Sequence, residues 1–203
     1  MPENNDLYVL AADKSMEAVL AAGLSRPASL NIRPVSVHTA IHPGKDGGAR
    51  TSGVALLATQ VRRFKHALLV FDYEGSGAKQ PPVELERQLD EQLAAAWEGR
   101  AKAIVIDPEV DVWLWGSDNA LVPQLGWSQN LTIREWLDEA GFSFNADGKP
   151  DRPKEAIEAV LRVCRIPRSA ATYRKVIEKI SLKRCTDHAF LRLADRLGQW
   201  FPI

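Results

Sequence analysis

Apolar residues along this chain gather in short unbroken runs in its first half and in stripes of three- and four-residue spacing in its second. Leu7 to Ala11 is the first run, stopped by Asp13-Lys14, and predicts a strand. Met16, Val19, Leu20 and Leu24 then recur at helical steps, predicting a helix over Ser15 to Leu24 with Gly23 and Pro27 at its exit. Ile32 to His38 alternates apolar and polar residues like a second strand. His42-Pro43-Gly44-Lys45-Asp46-Gly47-Gly48 holds three glycines and a proline and predicts a loop, after which Thr51 or Ser52 caps a helix running to about Phe64. His66 to Phe71 is a continuous apolar run of the kind buried on both faces of a parallel sheet, stopped by Asp72, and the pattern returns at Ala103 to Ile106, stopped by Asp107-Pro108. Between them Pro82 opens a helix to Trp97, with Leu85, Leu89, Leu93 and Ala96 on one face. Beyond them the pattern predicts a short helix over Glu109 to Trp115, a loop from Gly116 to Gln129 with Trp127 as a candidate anchor, and helices over Thr132 to Ala140, Pro153 to Val163, Ser169 to Ile180 and Asp187 to Trp200.

Strands alternating with helices of this length make βαβ units, whose crossovers force a mostly parallel sheet with helices on both faces, here followed by a helical tail. The class is α/β. The linker Asn145 to Pro150 is the best boundary, dividing an α/β domain over 1–148 from a helical, basic extension over 149–203 that packs on it. A chain of 203 residues, 45% hydrophobic and 26% charged, is globular rather than disordered, collagen-like or disulfide-rich. No apolar run approaches the roughly 18 residues that cross a bilayer. The opening Met1 to Asp6 lacks the basic then apolar start of a signal peptide, so the expected address is the cytoplasm with no membrane partner. Cys164 and Cys185 have no partner at zinc-finger spacing and read as reduced thiols. The net charge of zero conceals an asymmetry: residues 151–203 carry 12 Lys+Arg against 6 Asp+Glu, and the remainder carries the opposite imbalance.

Ligands of an open parallel sheet gather outside the carboxyl ends of its strands, and three predicted ends carry acids: Asp13, Asp72 with Glu74, and Asp107 with Glu109. Asp72 and Glu74 stand two residues apart, so an extended chain sets both on one face, and Gly75 and Gly77 let the backbone turn away. Several carboxylates at one sheet edge suit a hard cation such as Mg²⁺ or Mn²⁺, which keeps waters for phosphate groups. Against this stands the tendency of Asp and Glu to follow strands as turn and cap residues.

The order of an acidic β-to-α turn, then an apolar strand ending in Asp-x-Asp/Glu, resembles the Toprim fold of primases, topoisomerases and overcoming-lysogenization-type nucleases. The nearer likeness is to small Toprim-like proteins of prokaryotic defence islands, including a component of methylation-associated defence systems. In these a third acidic strand end leads into a Pro-Glu-x-x-x-Trp-like segment, matched by Asp107-Pro108-Glu109-Val110-Asp111-Val112-Trp113, and an Asp/Pro-x-Phe helix, matched by Asp187-His188-Ala189-Phe190. The likeness spans most of the chain. It implies a metal-dependent site of Asp13, Glu17, Asp72, Glu74 and Glu109, with Asp72, Glu74 and Glu109 as metal ligands. It also implies nucleic acid and other defence-system proteins as partners. Two departures are visible: a catalytic Toprim has glutamate in its first turn where this chain has Asp13 beside Lys14, with Glu17 one helical turn on, and Asp72-Tyr73-Glu74 replaces the commoner pair of aspartates.

Other constellations carry less. Gly44-Lys45-Asp46-Gly47-Gly48 lacks the spacing of a phosphate-wrapping loop, and His38 with His42 has no third ligand in register. Arg165, Arg168, Arg174, Lys175, Lys183 and Arg184 form a basic run able to track a nucleic-acid backbone, or else the solvated face of salt-bridged helices. Three functions are open: a Mg²⁺-dependent nuclease or phosphoryl-transfer enzyme, a non-catalytic assembly or sensing subunit of a defence complex, and a receiver-like phosphoacceptor using Asp72. The last lacks the acidic pair after the first strand that a receiver requires.

Overall fold

The structure, a computed structural model, describes residues 5–116 and 118–203. Residues 1–4, read above for a leader, and Ser117 in the expected loop lie outside the described residues. Strands β1 (Leu7–Ala11), β2 (Val37–Ile41), β3 (His66–Asp72) and β4 (Ala101–Ile106) alternate with helices α1 (Lys14–Leu24), α2 (Pro27–Leu30), α3 (Lys45–Ala58) and α4 (Pro82–Trp97). A 3₁₀ turn over Val110–Trp115 then leads to α5 (Asp118–Leu125), α6 (Ile133–Glu139), α7 (Pro153–Val163), α8 (Ala170–Ile177) and α9 (His188–Trp200). All four strands are parallel, in the order β2-β1-β3-β4. The chain steps outward from β1 to β2 and then returns past β1 to β3 and β4, so the direction of winding reverses between β1 and β3, the place where such sheets bind ligands.

The elements follow from local chemistry. Asp13 caps α1 by accepting from the Met16 N–H at 2.8 Å, and Thr132 with Glu135 forms a reciprocal capping box on α6. Leu68, Leu69, Val70 and Phe71 of β3 are fully buried, each contributing about 1.5–3 kcal/mol by leaving water. Helices α3 and α4 cover one face of the sheet and α1 and α9 the other, with α8 laid against α1. The helical tail is therefore packed back on the sheet, and one apolar cluster runs from Leu7 to Phe201. Arg26, just beyond α1, ties the two parts by donating to the carbonyls of Ile177 at 2.6 Å and Ile180 at 3.0 Å. Among the described residues no helix is long and apolar enough to cross a membrane.

Four expectations are corrected. The second strand is Val37–Ile41 rather than Ile32 to His38, because it is an edge strand with half-exposed residues and its apolar pattern is weak. The glycine-rich segment is not a loop throughout, since α3 begins at Lys45 and takes Gly47 and Gly48 into its first turns. That helix ends at Ala58 and gives way to turns before Phe64. Within Gly116 to Gln129 the chain forms α5, which carries Pro123 inside it.

Candidate functional site

The carboxyl ends of β1 and β3, the start of α3 and the 3₁₀ turn after β4 surround a cleft of about 280 Å³. The ladder between β3 and β4 continues past their ends: Tyr73 N–H donates to the Ile106 carbonyl at 2.7 Å and Glu74 N–H to the Pro108 carbonyl at 3.1 Å. This continuation brings Glu109 and Asp111 over the end of β3. Asp72 stands at the centre. Its backbone N–H donates to Asp46 Oδ1 at 2.9 Å, and its own Oδ1 accepts from the Val110 N–H at 2.8 Å.

Asp46 is delivered by a tight turn. The buried His42 ring accepts the Gly44 N–H on Nδ1 at 3.0 Å, so its proton sits on Nε2, 3.0 Å from Ser52 Oγ. Gly48 lets α3 approach that ring, since a Cβ there would lie 2.6 Å from it. Lys45 adopts φ 51°, a left-handed conformation that costs a side-chain-bearing residue about 1 kcal/mol and turns the first helical residues toward β3.

Of the acids expected from the sequence, Asp13, Asp72, Glu74 and Glu109 all line this cleft. Glu17 does not: its carboxylate accepts from Thr39 Oγ1 at 2.7 Å, between α1 and β2. Two further acids, Asp46 and Asp111, join the lining, with the cations Lys45, Lys154 and Arg168. Lys154 Nζ donates to Glu109 at 2.6 Å, while Asp111, 1% exposed, accepts from the Tyr173 hydroxyl and faces Arg168 at 3.8 Å. Arg168 also reaches Glu158 at 3.5 Å and donates to the Tyr173 oxygen at 2.8 Å. The helical tail thus supplies counter-charges to acids of the sheet.

Burial and then the charge of Asp46 push the Asp72 carboxyl well above the usual carboxylate range. Burial raises Asp46 also, despite the Asp72 N–H it accepts, and the charge of Asp13 adds to the rise. Glu109 is raised by burial against the opposing pull of Lys154, and Asp111 by burial against its bond from Tyr173. The donor set is all oxygen, crowded and short of positive charge, which suits a hard cation. Among the described residues, however, no three His, Cys, Asp or Glu side chains are gathered as a ready-made metal-ligand set. Mg²⁺ does not require one, because it is commonly held by one or two carboxylates and its own waters. Asp72 and Asp46 are neighbouring carboxyls in the cleft, tied together through the Asp72 N–H.

Of the basic residues, Arg165, Arg174, Lys183 and Arg184 are exposed on the tail, and Lys175 is exposed with Nζ 3.3 Å from the Gln124 carbonyl. Arg168, also exposed, reaches the cleft lining. His38 is remote from it, stacked on Tyr8 at 5.4 Å. Asp46, Asp111, Lys154 and Tyr173 escaped the sequence reading. The strand-end argument would have reached Asp46 had β2 been placed at its true end, whereas nothing in the sequence pairs Lys154 with Glu109.

Fold and cleft together define a parallel α/β protein with a mixed-charge, acid-rich site at the point where its winding reverses. Compared with models of protein families, with curated proteins and with solved structures, the chain matches none.

Proposed function

We propose that this chain is a Toprim-like protein whose cleft holds Mg²⁺ or Mn²⁺ and cleaves or transfers a phosphodiester of nucleic acid. The observation that carries this reading is Asp72. It is a largely buried carboxyl at the end of a central strand, oriented by the Val110 N–H and crowded by the charge of Asp46, an arrangement that costs stability and is characteristic of sites that do chemistry. A divalent cation bound there would polarise a phosphoryl oxygen and lower the pKa of a bound water. The chain's own part is to orient Asp72 and Asp46, to offer Glu74 at the rim, and to meet the non-bridging phosphate oxygens with Lys45, Lys154 and Arg168. The exposed arginines and lysines of the tail then track the strand. Placement in a prokaryotic defence system, in the cytoplasm and beside other defence proteins, rests on the resemblance carried by Asp107 to Trp113 and Asp187 to Phe190.

A second reading, a non-catalytic assembly or sensing subunit, is favoured by a separate observation. Glu109 and Asp111 are already matched by Lys154 and by Tyr173 with Arg168, and Asp13 is engaged as the cap of α1. Incubation of the protein with plasmid, single-stranded DNA and RNA in Mg²⁺ or Mn²⁺, beside Asp72→Asn, separates the two. Under the enzymatic reading the parent cleaves at least one substrate and the variant loses about a hundredfold or more of that rate. Equal cleavage by both proteins, or none by either, transfers the weight to the assembly role.

A further inference from the structure

The two edges of the sheet are treated differently. On β4 the outward N–H groups of Ala103 and Val105 are taken up by side chains of α4: Asp90 Oδ1 at 2.9 Å and Glu86 Oε1 at 2.8 Å. Arg192 of α9 locks Glu86 in place at 2.7 Å. That edge is closed to another strand. On β2 the terminal bonds from Leu7 N–H to the Ser36 carbonyl and from His42 N–H to the Ala11 carbonyl set the parallel ladder, so the N–H and C=O groups of Val37, Thr39 and Ile41 point away from β1. Among the described residues these outward groups have no partner. The strand carries no Lys, Arg, Asp, Glu or Pro, the residues that ordinarily guard an open edge.

We propose that β2 is a self-association edge, on which a second copy of this chain adds its own β2 antiparallel about a two-fold axis at Thr39. The argument for a second copy is self-complementarity. With Thr39 opposite Thr39, the apolar Val37 of each chain faces the apolar Ile41 of the other and His38 faces Ala40, so no like charges are set opposite each other. The outward groups of Val37, Thr39 and Ile41 then exchange about six main-chain hydrogen bonds. A groove of about 290 Å³ lined by Ala21, Leu24, Val35 and Val37 runs beside the edge on the α1 side. Val37 and Thr39 lie on that face, and Ile41, 36% exposed, shares it by strand alternation. The partner's Ile41, opposite Val37, lands in the groove. Because both chains use the same edge and β4 is blocked by Glu86 and Asp90, association stops at two and yields one continuous eight-stranded sheet.

Sedimentation of the full chain over a nanomolar to high-micromolar series is the test, with Ile41→Lys as the edge variant. The expected result is a reversible dimer whose dissociation constant rises about tenfold or more in Ile41→Lys, while circular dichroism, and the thermal midpoint read at concentrations where both proteins are monomeric, stay at the parent's values. Val37→Lys serves as a second variant, expected to weaken the dimer in the same way from the opposite member of the facing pair. A protein that stays monomeric throughout overturns the proposal, as does a dimer unaffected by either substitution in a folded variant, or one that grows into longer assemblies.

Discussion

The Asp72 carboxyl keeps its place through a bond that does not depend on its charge, from the Val110 N–H to Oδ1 at 2.8 Å, and an asparagine oxygen can accept the same donor. Its ionised form is disfavoured by burial and by Asp46, so the folded protein binds a proton there more readily than the unfolded chain does. For an acid raised in this way, stability is fully present at low pH and is lost as pH rises through the folded value. Asp72→Asn is therefore expected to be more stable than the parent by about 1 kcal/mol or more near neutrality, with the gap opening as pH rises above the free-aspartate value of about 3.9 and levelling off above the raised folded value, as read from urea midpoints. His42 acts with the opposite sign. Burial lowers its pKa, and protonation would forfeit the bond that Nδ1 accepts from Gly44. Its contribution is present above about 6.5 and is lost as pH falls toward the folded value, a loss that should be smaller in His42→Gln. Asp13, Asp72, Glu74 and Glu109 were legible because strand ends can be read from where apolar runs stop. Lys154 and Tyr173 were not, because only tertiary packing sets them against acids more than forty residues away.

Elements with unbroken apolar runs or strong stripes, β1, β3, α4 and α7, were legible nearly to the residue. An edge strand is half wet and its alternation thins, which is why the pattern places β2 several residues early. The start of α3 failed for a different reason: glycine there is selected not for flexibility but for closeness to the His42 ring. Gly48→Ala puts a methyl group 2.6 Å from that ring. The clash should outweigh the roughly 1 kcal/mol gained in helix propensity and cost a net 1–2 kcal/mol, approximately, by thermal unfolding, with Asp46 shifted from Asp72. Asp187 serves two elements at once, capping α9 through the Phe190 N–H at 2.9 Å and accepting the Trp113 indole N–H at 2.7 Å. Asp187→Ala should therefore cost about 2 kcal/mol, more than an ordinary cap, in chemical denaturation.

Across the whole molecule the apolar cluster is shared between the sheet and the helical tail, with α8 against α1 and α9 against β4. Unfolding should be one cooperative transition, in which hydrogen exchange of β3 and of α9 reports the same global opening free energy. Early exchange of α9 with β3 still protected would mean that the tail melts by itself. The parallel α/β class and the tail's helices could be read from periodicity, but their mutual docking could not, since Arg26 and the carbonyls of Ile177 and Ile180 that it holds are some 150 residues apart. One packing detail gives the cleft a voice of its own. The Trp115 indole N–H donates to the Pro153 carbonyl at 3.1 Å, one residue ahead of the lysine that holds Glu109. A ligand that pulls the start of α7 along with Lys154 would strain that bond, so a change in tryptophan emission on adding Mg²⁺ that is lost in Trp115→Phe is the expected optical sign that the cleft is filled.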